Sequence, residues 1–229
     1  MLLGGADSAA PFGPDAPIDM RIGGIGGAYF LAEPGLLVID VEKRDRNKRS
    51  SATELRAVLA GPDRKVIQEQ TIPDDGLPRS GKLGPPRRVR FSTHVASKGV
   101  YALMITVSGD RYGEHMLWGL RTNCPKYLIE TSRGHRDARH EEPIVWDNPE
   151  RPGDVCFLPR PTPLTVEIAE LPPGGAAPAV FDARGTLLGT LRADAQGAAS
   201  ATFAAREHRD AVPWRLHLPQ AKGIVQIDG

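Results

Sequence analysis

Hydrophobic and polar residues follow one another along most of the chain in short runs that glycine and proline separate. Examples are GLLVIDVEK at 35–43, RKVIQEQTI at 64–72 and GVYALMITVS at 99–108. Alternation with a period of two, clearest in the second run, is typical of β-strands with one buried and one solvated face. Turn residues such as Pro34-Gly35 punctuate the runs, as expected for hairpins.

The pattern predicts about eight strands before residue 133 and six shorter strands after residue 163. The predicted strands of the first set are 28–33, 35–43, 54–61, 64–72, 88–95, 99–108, 114–122 and 126–132. Those of the second set are 164–171, 177–183, 186–193, 197–205, 213–219 and 223–229. Short strands at regular spacing with turns between them favour sandwiches over helical folds.

The segment DNPERPGDVCFLPRPTP separates the two sets and contains five prolines. Proline fixes φ and removes a hydrogen-bond donor, so the segment is expected to be a stiff, extended linker. The predicted fold class is therefore all-β, with two consecutive antiparallel β-sandwich domains, jelly-roll-like and then immunoglobulin-like. The predicted boundaries are a flexible leader at 1–24, a larger sandwich at 25–146, the linker at 147–163 and a smaller sandwich at 164–229.

Composition supports this interpretation and excludes some partners. The 229 residues include 25 Gly and 21 Pro, which helices tolerate poorly in their interiors. A net charge of +1 argues against nucleic acid or an anionic membrane as the partner. No apolar run is long enough to cross a bilayer, and the start lacks the features of a signal peptide. The start and the charged end QIDG suggest a fragment of a longer polypeptide.

The chain has two cysteines, Cys124 and Cys156. In an oxidising compartment they are candidates for a disulfide, and in the cytosol they would be two thiols. The sequence leaves both alternatives open.

Two stretches resemble accessory modules of secreted bacterial enzymes. FSTHVASKGVYALMITVSGD is similar to a hairpin of carbohydrate-binding modules and pre-peptidase C-terminal domains, through Phe91, Val95, Gly99, Tyr101 and Leu103. PAVFDARGTLLGTL is similar to a hairpin of immunoglobulin-like accessory domains. The resemblance implies a β-sandwich that assists a catalytic domain, in an extracellular or periplasmic location. It transfers no binding residue.

The densest group of chemically active residues is TSRGHRDARHEEPIVW, from Thr131 to Trp146. His135, Asp137 and His140 are the candidate metal ligands, with zinc as a possible ion, although the two histidines are five residues apart and no helix is predicted. Glu141 and Glu142 are alternative catalytic carboxylates, and both of them, together with Arg136, are candidate ligand contacts. The simplest interpretation is a surface loop whose arginines, including Arg136, offset the acids.

Candidates for a structural calcium ion are the carboxylates of the PDDG segment at 73–76 and of Asp40 and Glu42, although the spacing of a calcium-binding loop is absent. Tyr112 and Trp146 are the predicted contacts for a sugar, because both lie near strand ends. The glycine-rich RIGGIGGAYF lacks the strand and helix that a phosphate loop needs, and is predicted to be a flexible entry into the first strand.

No catalytic signature is assembled in the sequence. The leading hypothesis is a non-catalytic pair of β-sandwich modules of a larger secreted enzyme, which binds a polysaccharide or oligosaccharide or supports an adjacent catalytic domain. One alternative is a small metal- or carboxylate-dependent hydrolase or lyase that uses the loop from His135 to Glu142. A second alternative is a structural or assembly subunit.

Overall fold

The structure is a computed structural model that describes residues 12–13, 16–48, 52–110, 114–131, 133–136, 141–159, 163–204 and 212–228, with the backbone alone at 135, 136 and 228. The described elements are all β-strands, which confirms the predicted all-β class. Strands pair in antiparallel fashion, except for a two-residue parallel pairing of β10 with β18. Within the described ranges no helix has the length and hydrophobicity of a membrane span.

The strands up to residue 131 are bounded as follows: β1 Met20–Gly23, β2 Gly26–Ala32, β3 Gly35–Asp45, β4 Glu54–Ala60, β5 Val66–Ile72, β6 Arg87–Val95, β7 Gly99–Ser108, β8 Met116–Thr122 and β9 Tyr127–Glu130. The later strands are β10 His135–Arg136, β11 Ile144–Asn148, β12 Gly153–Phe157, β13 Leu164–Ala169, β14 Ala179–Phe181, β15 Leu187–Thr190, β16 Ala199–Phe203, β17 Trp214–Leu218 and β18 Ala221–Asp228.

The chain divides into two compact units. Unit 1 consists of Met1–Ile18 and Gly24–Thr131, and unit 2 consists of Asp19–Gly23 and Ser132–Gly229. This division differs from the predicted one, because a short segment near the start belongs to the second unit. Ile18 is fully buried and β1 pairs with β11, so the end of the predicted flexible leader is ordered.

Unit 1 is a sandwich in which two antiparallel sheets contribute the core. One sheet has the order β8-β3-β6 and the other has the order β5-β4-β7-β2-β9. Alternate residues of each strand face inward, as the period of two requires. Phe30, Ile39, Leu103 and Trp118 are each at most 1% exposed, and they represent the apolar core.

Unit 2 has the strand order β16-β13-β18-β11-β1 in one sheet, with β10 beside β18, and β12-β17-β14-β15 in the other. Its core includes Trp214, against which the rings of Phe157 and Phe203 pack edge-on at centroid distances of 6.3 and 6.0 Å. Val166 and Leu216 are fully buried.

The predicted linker 147–163 is largely part of unit 2. It contains the end of β11 and all of β12, whose five residues pair in register with β17. The short GDVCF run alternates, but the prolines around it suggested a break. Proline is tolerated at strand ends and edges, and β12 is an edge strand of its sheet.

Candidate functional site

The most distinctive surface of unit 1 is the outward face of its five-stranded sheet. We call this surface the Tyr29 face and define it by Tyr29, Leu31, Val58, Val100, Ala102, Met104 and Leu128. The pairing register places Tyr29 opposite both Leu128 and Ala102, and Met104 opposite Val58. Since directly opposed residues point to the same side of a sheet, these apolar side chains form one continuous patch.

The Tyr29 face is open to solvent. Tyr29 is 39% exposed, Met104 46%, Val100 50% and Leu128 59%. A sheet with one solvated face normally carries polar residues there, as the hydrophobic effect requires. Contiguous exposed apolar residues are typical of interaction sites, whereas single ones are ordinary.

The Tyr29 face also carries a polar pair, the Tyr29 hydroxyl and the Glu130 carboxylate, which are joined by a hydrogen bond. The Tyr29 hydroxyl donates to Glu130 Oε2 at 3.1 Å. This hydrogen bond, with the negative charge of Glu130, raises the pKa of Tyr29, so the phenol remains a protonated donor at neutral pH. Within the described ranges Tyr29 is the aromatic residue among the exposed large hydrophobic side chains.

The Tyr29 face was not predicted as a site from the sequence, although one signal was present. In β7 the run VYALMITV is apolar at nearly every position, whereas a strand with one solvated face should alternate. The excess of apolar residues on the outward side, Val100, Ala102 and Met104, is the mark of a second covered face.

A second cluster, the Lys43 cluster, consists of Lys43, Asp45, Thr53, Asp74 and Asp75. Oxygens of its three carboxylates lie within 4.8 Å of one another, a donor set that suits a divalent cation. The Lys43 ammonium, however, is fully buried and bonds both Asp45 oxygens at 2.6 and 2.8 Å and the Thr53 carbonyl at 2.9 Å. Lys43 therefore supplies the positive charge that a calcium ion would bring to the PDDG segment.

The other predicted calcium ligands are paired with arginines. Asp40 accepts hydrogen bonds from Arg90 at 2.6 and 2.8 Å and from Arg121 at 2.7 Å. Glu42 accepts one from Arg88 at 2.7 Å. These carboxylates are neutralised by the protein itself, so their geometry is that of buried ion pairs.

The loop that suggested metal or catalysis is only partly described. Asp137 and His140 lie outside the described residues, as does Tyr112. His135 and Arg136 form β10, which pairs with β18, and nothing is stated of their side chains. Glu141 is exposed. The Glu142 carboxylate forms an ion pair with Arg133, as the interpretation of offset charges expects.

Trp146 is a core residue, so its predicted exposure is wrong. It lies on β11, is 9% exposed, and its ring packs where Gly153 leaves room for it. The burial of Ile144 and Trp146 alternates with the half-buried Val145, which fixes the direction of the ring. Among the described residues, its indole nitrogen has no hydrogen-bond partner.

Cys124 and Cys156 are free thiols, which corrects the disulfide alternative. Cys124 is buried after β8, whereas Cys156 is exposed on β12. Partial burial, followed by the charge of Asp154, raises the pKa of Cys156 against an opposing effect of Arg215. A raised pKa disfavours the thiolate that a nucleophilic cysteine needs.

Comparison with known proteins does not assign the chain to a family. No family model matches it, and no curated protein matches it. Among solved structures it is similar to dimeric latent PorU from Porphyromonas gingivalis, with 12% identity and a TM-score of 0.30. The alignment covers 98% of this chain and 23% of that chain. A TM-score this low carries no argument about fold or function.

Proposed function

We propose that the chain is a non-catalytic β-sandwich module of a larger secreted enzyme and that it supports a neighbouring folded domain through the Tyr29 face. The observation that carries this proposal is the exposure of Tyr29, Val100, Met104 and Leu128 on one sheet face. Each Å² of apolar surface that is removed from water contributes about 25 cal/mol of favourable free energy, so contact of this face with a second apolar surface would be stabilising.

The acidic clusters of unit 1 favour the same proposal. Lys43 and Arg121 occupy the carboxylates that would otherwise be candidates for a metal ion or for acid–base work. A general acid or base needs access to the reacting group, and these carboxylates are buried in ion pairs.

Protection of Met104 from oxidation tests the proposal. In the isolated chain, hydroxyl radicals should oxidise Met104 readily because it is 46% exposed. In extracts of the producing cells, before any separation, oxidation of Met104 should fall several-fold because the docked domain covers it. Leu187, which is 54% exposed in unit 2, is the matched control and should react equally in both samples. Equal oxidation of Met104 in both samples would refute docking.

Sugar binding on the same face is the second candidate function. The pair of Tyr29 and Glu130 favours it, since an aromatic ring can cover the apolar side of a pyranose while a carboxylate accepts hydrogen bonds from its hydroxyls. Retarded migration of the chain in polysaccharide-containing gels, abolished by Tyr29→Ala, would support sugar binding. Unchanged migration in every polysaccharide tested would remove this candidate.

A further inference from the structure

The Tyr29 face contains a notch, which we call the Gly27 notch. Gly27 lies on β2, opposite Glu130 on β9 and opposite Met104 on β7. Neighbouring strands are about 4.8 Å apart, so the side chains of Glu130 and Met104 rise about 10 Å from each other with no side chain between them. Tyr29, two residues along β2, closes one end.

The walls of the Gly27 notch differ in chemistry. Met104 offers a flexible thioether, Tyr29 offers an aromatic ring, and Glu130 offers a carboxylate. A planar cation with an apolar stem matches these three walls, because aromatic rings attract cations and carboxylates accept paired hydrogen bonds from guanidinium groups. The stem would lie along the Met104 side chain.

Charge around the face also points to a cation. Arg56 and Glu69, which flank the face on β4 and β5, neutralise each other through hydrogen bonds of 2.6 and 2.7 Å. The described part of the chain offers Glu130 a hydroxyl from Tyr29 and no cation. Lys126, which immediately precedes β9, is four residues from Glu130, about 13 Å on an extended backbone.

We infer that the Gly27 notch is the anchor of the docking surface and takes an arginine side chain from the partner domain, with the guanidinium on Glu130 and Tyr29. This inference rests on the proposed function, because it names the partner chemistry of the same face. Arginine fits better than lysine, since its planar group can stack on the tyrosine ring and bond both carboxylate oxygens. Arginine and tyrosine are also common among the residues that dominate interface energetics.

Methionine-methyl NMR of the intact chain provides a direct test. The chain has four methionines; Met104 is exposed, while Met20 and Met116 are buried and report on folding. N-acetyl-arginine methylamide should shift the Met104 methyl signal in a saturable way at millimolar concentration. The citrulline analogue, which has the same shape without the charge, should bind at least tenfold more weakly.

Two variants make the assignment falsifiable. Glu130→Gln should reduce the affinity for the arginine derivative at least tenfold, while Met20 and Met116 keep their signals. Gly27→Ala should also weaken binding because its new methyl fills the floor of the notch, where the nearest atom is the Leu103 carbonyl oxygen at 3.1 Å. Equal responses to the arginine and citrulline derivatives would overturn the inference. So would an equal response to N-acetyl-lysine methylamide, or an unchanged affinity in Glu130→Gln.

The outcome separates the inference from the proposed function. Protection of Met104 in cell extracts without an arginine response would keep the docking role and reject the arginine anchor. A saturable arginine response without protection of Met104 would reject the docking role and leave a guanidinium site of another purpose.

Discussion

Lys43 is the most completely buried charged residue described in unit 1. Its contribution to stability depends on the groups to which its ammonium donates. Its ammonium bonds Asp45 on both oxygens and the carbonyls of Thr53 and Pro73. Removal of one partner of a buried ion pair leaves the other charge desolvated, which typically costs about 3–5 kcal/mol. The cluster thus fastens the PDDG segment to β3.

Lys43→Met should therefore lower the free energy of unfolding of unit 1 by about 3–5 kcal/mol in urea titrations. Lys65→Met is the matched control, because Lys65 pairs with Asp63 at 3.3 Å on the surface and little change is expected there. A loss smaller than about 1 kcal/mol for Lys43→Met would show that the ammonium does not hold the cluster together.

Asp40 links pH to stability. Burial alone would raise the pKa of Asp40, but the hydrogen bonds and charges of Arg90 and Arg121 outweigh burial and hold it below its usual range. A carboxylate with a lowered folded pKa contributes stability that is complete above its unfolded pKa, near 3.9, and is lost as pH falls through the folded value.

Asp40→Asn should accordingly destabilise unit 1 most above pH 5, with the difference from the parent chain shrinking as the pH falls from 5 towards 2. Urea titrations across this range measure it, and Asp63→Asn, at an exposed turn, should show a much smaller difference. A constant or growing difference at low pH would contradict the assigned direction of the shift.

At the scale of elements, β2 explains the glycine-rich RIGGIGGAYF stretch. A methyl group on Gly26 would meet the Trp118 ring at 2.9 Å and the Glu130 carbonyl at 3.0 Å, and the Trp118 indole donates to the Gly24 carbonyl at 2.8 Å. The residues are small because a buried tryptophan packs on them. The prediction that these glycines form a flexible entry therefore fails at Gly26.

Gly26→Ala should cost about 1–3 kcal/mol of stability through overpacking. Gly13→Ala is the matched control, because no described residue beyond its chain neighbours has an atom within 4 Å of the added methyl. A change within about 0.5 kcal/mol is expected. Thermal unfolding followed by tryptophan fluorescence measures both. Equal stability of the two variants would mean that the contact with Trp118 relaxes freely.

Strands in which hydrophobic and polar residues alternate clearly were predicted from the sequence. Short strands near proline or charged residues were not. The strand predicted at 99–108 matches β7 exactly, and the strand at 35–43 matches β3 to within two residues. β1, β10, β11 and β12 were not predicted. All four belong to unit 2, and they are short runs that tertiary pairing, rather than local pattern, holds in place.

The candidate site was less predictable than the fold, for a physical reason. Tyr29, Met104 and Glu130 are 26 to 101 positions apart and meet through cross-strand register, which the pattern of a single strand does not specify. Aromatic residues at strand ends, by contrast, suggested exposure for Trp146. In β11, however, buried residues alternate with half-buried ones, and Trp146 is at a buried position, so its ring lies in the core of unit 2.

At the scale of the whole molecule, each unit has its own core, and the Tyr29 face of unit 1 is an exposed apolar surface. The central claim is that this face is covered in the working protein by a folded domain. Photo-cross-linking at residue 104 tests that claim most directly, with a photoreactive amino acid in place of Met104 and, as control, of Leu187. We predict a discrete adduct at 104 in the producing cells, absent at 187 and lost with Tyr29→Lys. Adducts of equal yield at both positions, or none at 104, would contradict the claim.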